Sequence, residues 1–313
     1  MIPFLASRLA QLVPTALVIT VIVFLLSHLA PGDPVTALAG PEAPPELVAA
    51  MRERYGLDRP LWTQYAVWIG RVVRGDMGTS VRTGQPVTTM ISERFEATLT
   101  LAVSATLFSI LIALPAGIMA AARRGGLADS GAMVATSLAI SLPNFFTAIV
   151  LIVIFGVQLR WLPISGYLPI LPDLGGSLAR LAMPTISLGL IYTALLSRLV
   201  RSDLLDILSE DYIRTARSKG VAERVVLLRH GVRNALLPTI NLVTLNFASL
   251  LGGTIIIEEI FAIPGIGRLL INAVEIRDFP VIQGVTLTVG VIFILSSILA
   301  DLLTSFADPR VRL

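Results

Sequence analysis

The chain alternates long apolar runs with short polar connectors, and the lengths of those runs predict helices that cross a membrane. Six stretches qualify: Leu9 to Leu29, Thr98 to Ala122, Ala132 to Leu159, Ala182 to Val200, Leu236 to Ile257 and Val281 to Phe306. About 20 apolar residues already cross a bilayer as a helix, so the third and last runs have length to spare for tilting. The pattern predicts an all-α polytopic protein. It divides into a first span at 1–30, an extracytoplasmic helical segment at 31–97, and a five-helix core at 98–313 that contains a cytoplasmic loop at 201–238.

The connectors carry pattern of their own. Two prolines open "PPELVAAMRERYGL", and good helix formers follow; "LWTQYAVWIGRVV" then interleaves Trp62, Tyr65 and Trp68 with apolar residues before the turn-like "RGDMGTS". The expectation is a small helical cap, or an interfacial pair of helices with aromatic side chains at headgroup depth. Pro115, Pro143 and Pro238 interrupt helical hydrogen bonding within or at the edges of spans, and Gly252-Gly253 weakens the end of the fifth; each is a place to kink or hinge. The first run follows Arg8 as a secretory leader would. It is nevertheless longer than a typical leader core, and His28 stands where cleavage at Ala30 would need a small residue, which predicts a retained helix.

Composition agrees with a bilayer as the main solvent: 55% of residues are hydrophobic, 14% are charged and the mean hydropathy is +0.82. There is no cysteine, which removes disulfides, thiolate metal sites and cysteine nucleophiles together. A net charge of +3 and a pI near 9.7 would raise nucleic acid in a soluble protein. Here the arginines are better explained by membrane orientation, and no nucleic-acid partner is expected.

With a cytoplasmic N-terminus, the inside segments hold thirteen Arg and Lys residues, eight of them between Arg198 and Arg233, whereas the short outside loops hold four: Arg160, Arg180, Arg268 and Arg277. The segment from Ala30 to Ala97 is too long to count, since loops beyond about 60 residues translocate largely regardless of charge. Both termini are therefore expected in the cytoplasm.

The most basic stretch, "DYIRTARSKGVAERVVLLRHGVRNALLP" from Asp211 to Pro238, cannot lie in hydrocarbon, where each central charge costs about 2.5–3.5 kcal/mol. Ile213, Ala216 and Gly220 fall on one helical face, and Val221, Val225, Leu228 and Val232 continue an apolar stripe, predicting two short amphipathic helices hinged near Gly220. Such helices can rest on anionic lipid or dock on a protein. Acids at Asp203, Asp206, Glu210 and Asp211, with no Trp or Phe to enter the interface, favour a protein partner.

This stretch resembles the cytoplasmic EAA loop of the membrane subunits of ATP-binding-cassette (ABC) importers. Arg214, Thr215 and Ala216 stand in the Glu-Ala-Ala positions, Gly220 follows at the family spacing, and Leu237-Pro238 closes the pattern. Arg214 replaces the family glutamate, and the gap to Leu-Pro is longer than the general pattern. Both departures are similar to the peptide-transporter branch. Further matches run the length of the chain: "LSHLAPGDP", "GDMGTS", "SLPNFF", "WLPISGY", "EEIFAIPGIGRLL", "RDFPVIQG" and "DPRVR" resemble the dipeptide, oligopeptide, glutathione and nickel permeases. The resemblance implies a type I importer transmembrane fold in a bacterial or archaeal cytoplasmic membrane. It also implies a second homologous permease, two ATPase subunits that bind ATP and Mg, and an extracytoplasmic substrate-binding protein. Asp211, Tyr212, Ile213, Arg214, Thr215, Ala216, Lys219 and Gly220 are then expected to couple the chain to an ATPase.

No motor is legible in the chain itself. Lys219, the lone lysine, lacks the preceding glycine and following Ser or Thr of a phosphate loop. Gly265 and Gly267 lack the third glycine and the strand of a dinucleotide site. His28 and His230 fall on opposite sides of the expected bilayer, so neither a base-activated nucleophile nor a metal site is expected. No catalytic residue and no cofactor of its own are assigned. Asn144, Tyr192, Asn241, Thr244 and Asn246 lie in spans, where polar side chains either line a water-filled path or hold neighbouring helices together. An ATP-independent secondary transporter or channel stands as the alternative function, and nickel or glutathione as alternative cargo.

Overall fold

The computed structural model describes residues 13–25, 43–54 and 58–307. All regular structure among them is helical, apart from one isolated antiparallel bridge between Thr79 and Pro86. The helices are α1 (Val13–Leu25), α2 (Pro45–Arg54), α3 (Leu61–Val72), α4 (Val87–Ala122), α5 (Leu127–Ser141), α6 (Asn144–Leu151), α7 (Leu174–Leu208), α8 (Asp211–Ser218), α9 (Arg233–Gly253), α10 (Ile255–Ile260), α11 (Ile266–Glu275) and α12 (Phe279–Ala307). Residues Ile152–Gln158 and Val226–Val232 are π-helical.

By length and composition, α4, α7 and the Phe279–Ala300 part of α12 suffice to cross a membrane. A proline divides one of the other expected spans and bends the chain at the edge of another. The third is not one straight helix: it bends by 100° between Ser141 and Asn144. Pro143 cannot donate a backbone hydrogen bond, and its ring drives Leu142 out of the helical region to φ −92°, ψ 121°. The fifth bends by 47° around Pro238 and then ends at Gly253, so that Ile255–Ile260 forms a separate helix. Pro115 does neither; α4 runs through it. The expected first span at Leu9 to Leu29 is described only over Val13–Leu25.

The residues divide into two compact units. One combines the described residues up to Glu96 with Pro264–Ile294. Its core joins Val87, Met90 and Ile91 of α4 to Ile266, Leu269 and Ala273 of α11 and to Val281 and Val285 of α12. Asp278, only 2% exposed, accepts hydrogen bonds from the Ser80 hydroxyl (2.5 Å) and the Val81 N–H (3.2 Å), fixing the loop before α4. Helix α3 lies against α1: Phe24 meets the rings of Tyr65 and Trp68, and the Tyr65 and Thr20 hydroxyls are 2.8 Å apart.

The other unit comprises Ala97–Ile263 and the described residues from Leu295. Its contacts fix the direction of each helix. Along α4 and α7, Ser104 meets Thr185, Ser109 meets Gly189 and Gly117 meets Ser197, so the two helices run parallel. One end of the unit gathers Thr98 with Glu258, Thr100 with Tyr167, and Gly166 with Phe261. The opposite end gathers Ala121, Leu204 and Ala235 in an apolar cluster, with Asp129 bound to Arg201. Asp129 and Tyr167 therefore lie at opposite ends, so the bent α5–α6 segment and its connector traverse the unit once.

Candidate functional site

The segment from Ser209 to Val232 is built by local rules. Helix α8 starts after extended Glu210, and its carbonyls are closed by the Lys219 and Gly220 N–H groups. Gly220 has φ +76°, the left-handed region that suits glycine, and a Cβ there would meet nothing within 4 Å. Its requirement within this chain is the turn itself and not a close backbone approach. Arg217 clamps that turn with bonds of 3.0 and 2.7 Å to the two carboxylate oxygens of Glu223. The guanidinium holds the Glu223 carboxyl below its ordinary range, and the carboxylate raises Arg217 further. Tyr212 Oη accepts a bond from the Asn234 side chain, tying α8 to α9.

The face expected to dock is partly used within the chain. Ile213 is fully buried within the chain, because the π-helical stretch and α8 pack on each other and the buried face of an eight-residue amphipathic helix is its most apolar one. Of the other residues anticipated to couple, Ala216 is half-buried, while Asp211, Tyr212, Arg214, Thr215, Lys219 and Gly220 are exposed. Arg214 pairs with Asp211 at 3.1 Å, one helical turn back.

Of the polar positions singled out in the spans, the structure brings two together. Tyr192 and Asn246 line one small depression with Thr106, Ser109, Ile110, Leu196, Val243 and Leu250. Asn144, Asn241 and Thr244 are not among its lining. Thr244 is buried and bonds back to the Ile240 carbonyl within α9, whereas Asn241 is exposed and Asn144 sits in the first turn after the Pro143 break. At 3.6 residues per turn, five positions rotate by about 140°, which is why Asn241 and Asn246 do not share a face.

Sequence reading missed two polar anchors. Arg201 makes a two-pronged bond to Asp129, at 2.5 and 2.8 Å, and Arg198, one turn earlier, donates to the Thr136 and Ser137 hydroxyls. Together they hold α5 along α7. Glu258 is fully buried, and Thr98 and Thr254 both donate to its Oε1 at 2.7 Å. Arg201 and Thr98, 72 and 160 residues from their acids, leave no local spacing to read. The available signal was an acid beside a span end, Asp129 alone and Glu258 followed by Glu259 with Thr254 one turn before it. Among the described residues, no group of three or more acidic or histidine side chains could hold a metal.

Comparison with known proteins agrees over the whole chain. Residues 113–313 match the family described as binding-protein-dependent transport system inner membrane component, and residues 1–102 match its N-terminal counterpart. A Brucella abortus protein carrying the name of a peptide transport system permease is 41% identical over 312 residues, covering 100% of this chain and 99% of its own. The glutathione transport system permease protein of Salmonella choleraesuis is 40% identical over 312 residues, covering 100% and 99%. A Sinorhizobium fredii protein named for a peptide ABC transporter permease is 37% identical over 309 residues, covering 99% of each chain.

Proposed function

The chain belongs to the binding-protein-dependent transport system inner membrane components, the permease subunits of ABC importers, and from that premise we propose that it forms half of an inner-membrane path for short peptides, glutathione included. The single observation that carries the reading is full-length similarity to permeases named for peptides and for glutathione, which is itself a tripeptide. A second homologous permease supplies the other half, an external binding protein delivers cargo, and two ATPase subunits hydrolyse ATP. The chain performs no chemistry of its own.

The proposed topology has six spans, cytoplasmic termini and an external segment after the first span. Its support is the alternation of connectors between the two ends of the larger unit. The Asp129 and Leu204–Ala235 connections share one end, while the Tyr167 and Glu258 connections share the other. The bent α5–α6 segment then counts as one crossing. The arginine distribution supports a cytoplasmic position for the Asp129 end, and with it the 201–238 loop. Tyr192 and Asn246 are the proposed path-facing pair.

The test is uptake by the reconstituted assembly, offered di- to pentapeptides, glutathione and nickel complexes with the matching binding protein. ATP-dependent peptide or glutathione uptake is expected. Uptake driven by an ion gradient without ATP would refute the importer reading, and exclusive uptake of nickel complexes would refute the cargo class.

A further inference from the structure

We infer that the surface this chain offers its ATPase is basic rather than apolar, and that it fits a groove lined by carboxylates. The inference rests on the importer reading above and names the chemistry of that partner's surface.

Three observations lead to it. With Ile213 fully buried, the apolar face of α8 is already used within the chain. Between Asp211 and Arg229, five basic residues stand against two acids, Asp211 and Glu223. Internal pairing then removes two of the cations: Arg217 is held by Glu223 and Arg214 by Asp211. Lys219, Arg224 and Arg229 remain, all exposed and without an ion-pair partner among the described residues. They follow one another across the Gly220 turn, beside the exposed Val225 and Leu228. An uncompensated cluster of this kind steers and orients an oppositely charged protein surface.

A lipid surface fits less well. Helix α7 continues to Leu208, eight residues past the expected end of its span at Val200, which carries α8 about 12 Å beyond the hydrocarbon edge. That is past the headgroup layer, about 5–8 Å thick on each face, and out of reach of the acyl boundary in which an interfacial helix buries its apolar side. Asp211, Thr215 and Ser218, also exposed on α8, have no use for an acyl boundary.

The experiment uses the complete transporter with its cognate ATPases. A tagged permease pair is captured in detergent, and retained ATPase is measured between about 50 and about 500 mM NaCl, where screening removes most of an exposed charge attraction. Wild-type retention should fall by about tenfold over that range, and the triple variant Lys219→Glu, Arg224→Glu, Arg229→Glu should show that loss already at low salt. Size-exclusion profiles of the permease pair, together with Lys219→Gln, Arg224→Gln, Arg229→Gln as a milder variant, separate lost docking from misfolding. Acid-to-lysine changes in the ATPase groove should rescue the glutamate variant. Salt-independent retention with the triple variant overturns the inference while leaving the importer reading intact. Unchanged retention with loss of co-purifying anionic phospholipid overturns it in favour of a membrane contact. If no ATPase is captured with wild type at any salt and ATP drives no uptake, the importer reading itself fails.

Discussion

Gly117→Ala tests whether the parallel crossing of α4 and α7 is as close as the structure makes it. A Cβ built at Gly117 stands 2.7 Å from the Ser197 carbonyl oxygen and 2.9 Å from Val200 Cβ. One obstacle is helix backbone and the other is a β-branched side chain held against its own helix, so neither can swing aside. Restoring ordinary contact requires the helices to part by roughly 0.5–1 Å, the kind of overpacking that costs about 1–3 kcal/mol. Gly131 is the matched control, since it also lies within a helix but a Cβ there meets nothing within 4 Å. Gly131→Ala should be neutral or stabilising by about 0.5–1 kcal/mol through helix propensity. The assay is thermal unfolding of the solubilised permease pair followed by size exclusion. Gly117→Ala should lower the midpoint by roughly 2–4 °C per kcal/mol and Gly131→Ala should not. Equal midpoints for the two variants would refute the close crossing and the helix register derived from it.

Gly220→Asn should fold and keep most ATP-coupled transport, because asparagine tolerates φ +76° and the space is open, whereas Gly220→Val should strain the turn by about 1–2 kcal/mol and lower transport per ATP; equal transport-to-ATP ratios for the two would remove the turn argument. Thr98→Val withdraws one of two hydroxyls from the buried Glu258 and should cost about 1–3 kcal/mol of thermal stability, while Ser92→Ala, exposed in the same helix, should cost little. In this cysteine-free chain, single cysteines at Arg124 and Arg214 should be shielded from an impermeant thiol reagent in intact cells and those at Arg82 and Arg268 exposed to it; external labelling at 214 would invert the topology. As pH falls, the Arg217–Glu223 clamp should persist through the ordinary glutamate range and be lost only below it, because the paired carboxyl's folded-state pKa is lowered; loss of coupling at a higher pH would assign the sensitivity to another group.

What the sequence determined by itself was everything that short-range periodicity and composition can encode. Apolar runs about as long as a bilayer is thick marked candidate spans, three of which are helices long and apolar enough to cross a membrane, and the spacing of Gly220 between two amphipathic stretches marked the turn, now seen at φ +76°. The family followed from ordered motifs. Three features belonged to tertiary structure alone. Pro143 and Pro115 look equally disruptive in sequence, yet one sits at a 100° break and the other inside a continuous helix, because neighbouring helices decide whether a lost hydrogen bond becomes a bend. The stripe carrying Ile213 was visible, but whether it faced a partner or its own chain depended on which surface the π-helical stretch covered. Asp129 with Arg201, and Glu258 with Thr98, are anchors made between residues far apart in sequence. Periodicity says which side of a helix is apolar; only the packing of that helix against the others says what lies across from it.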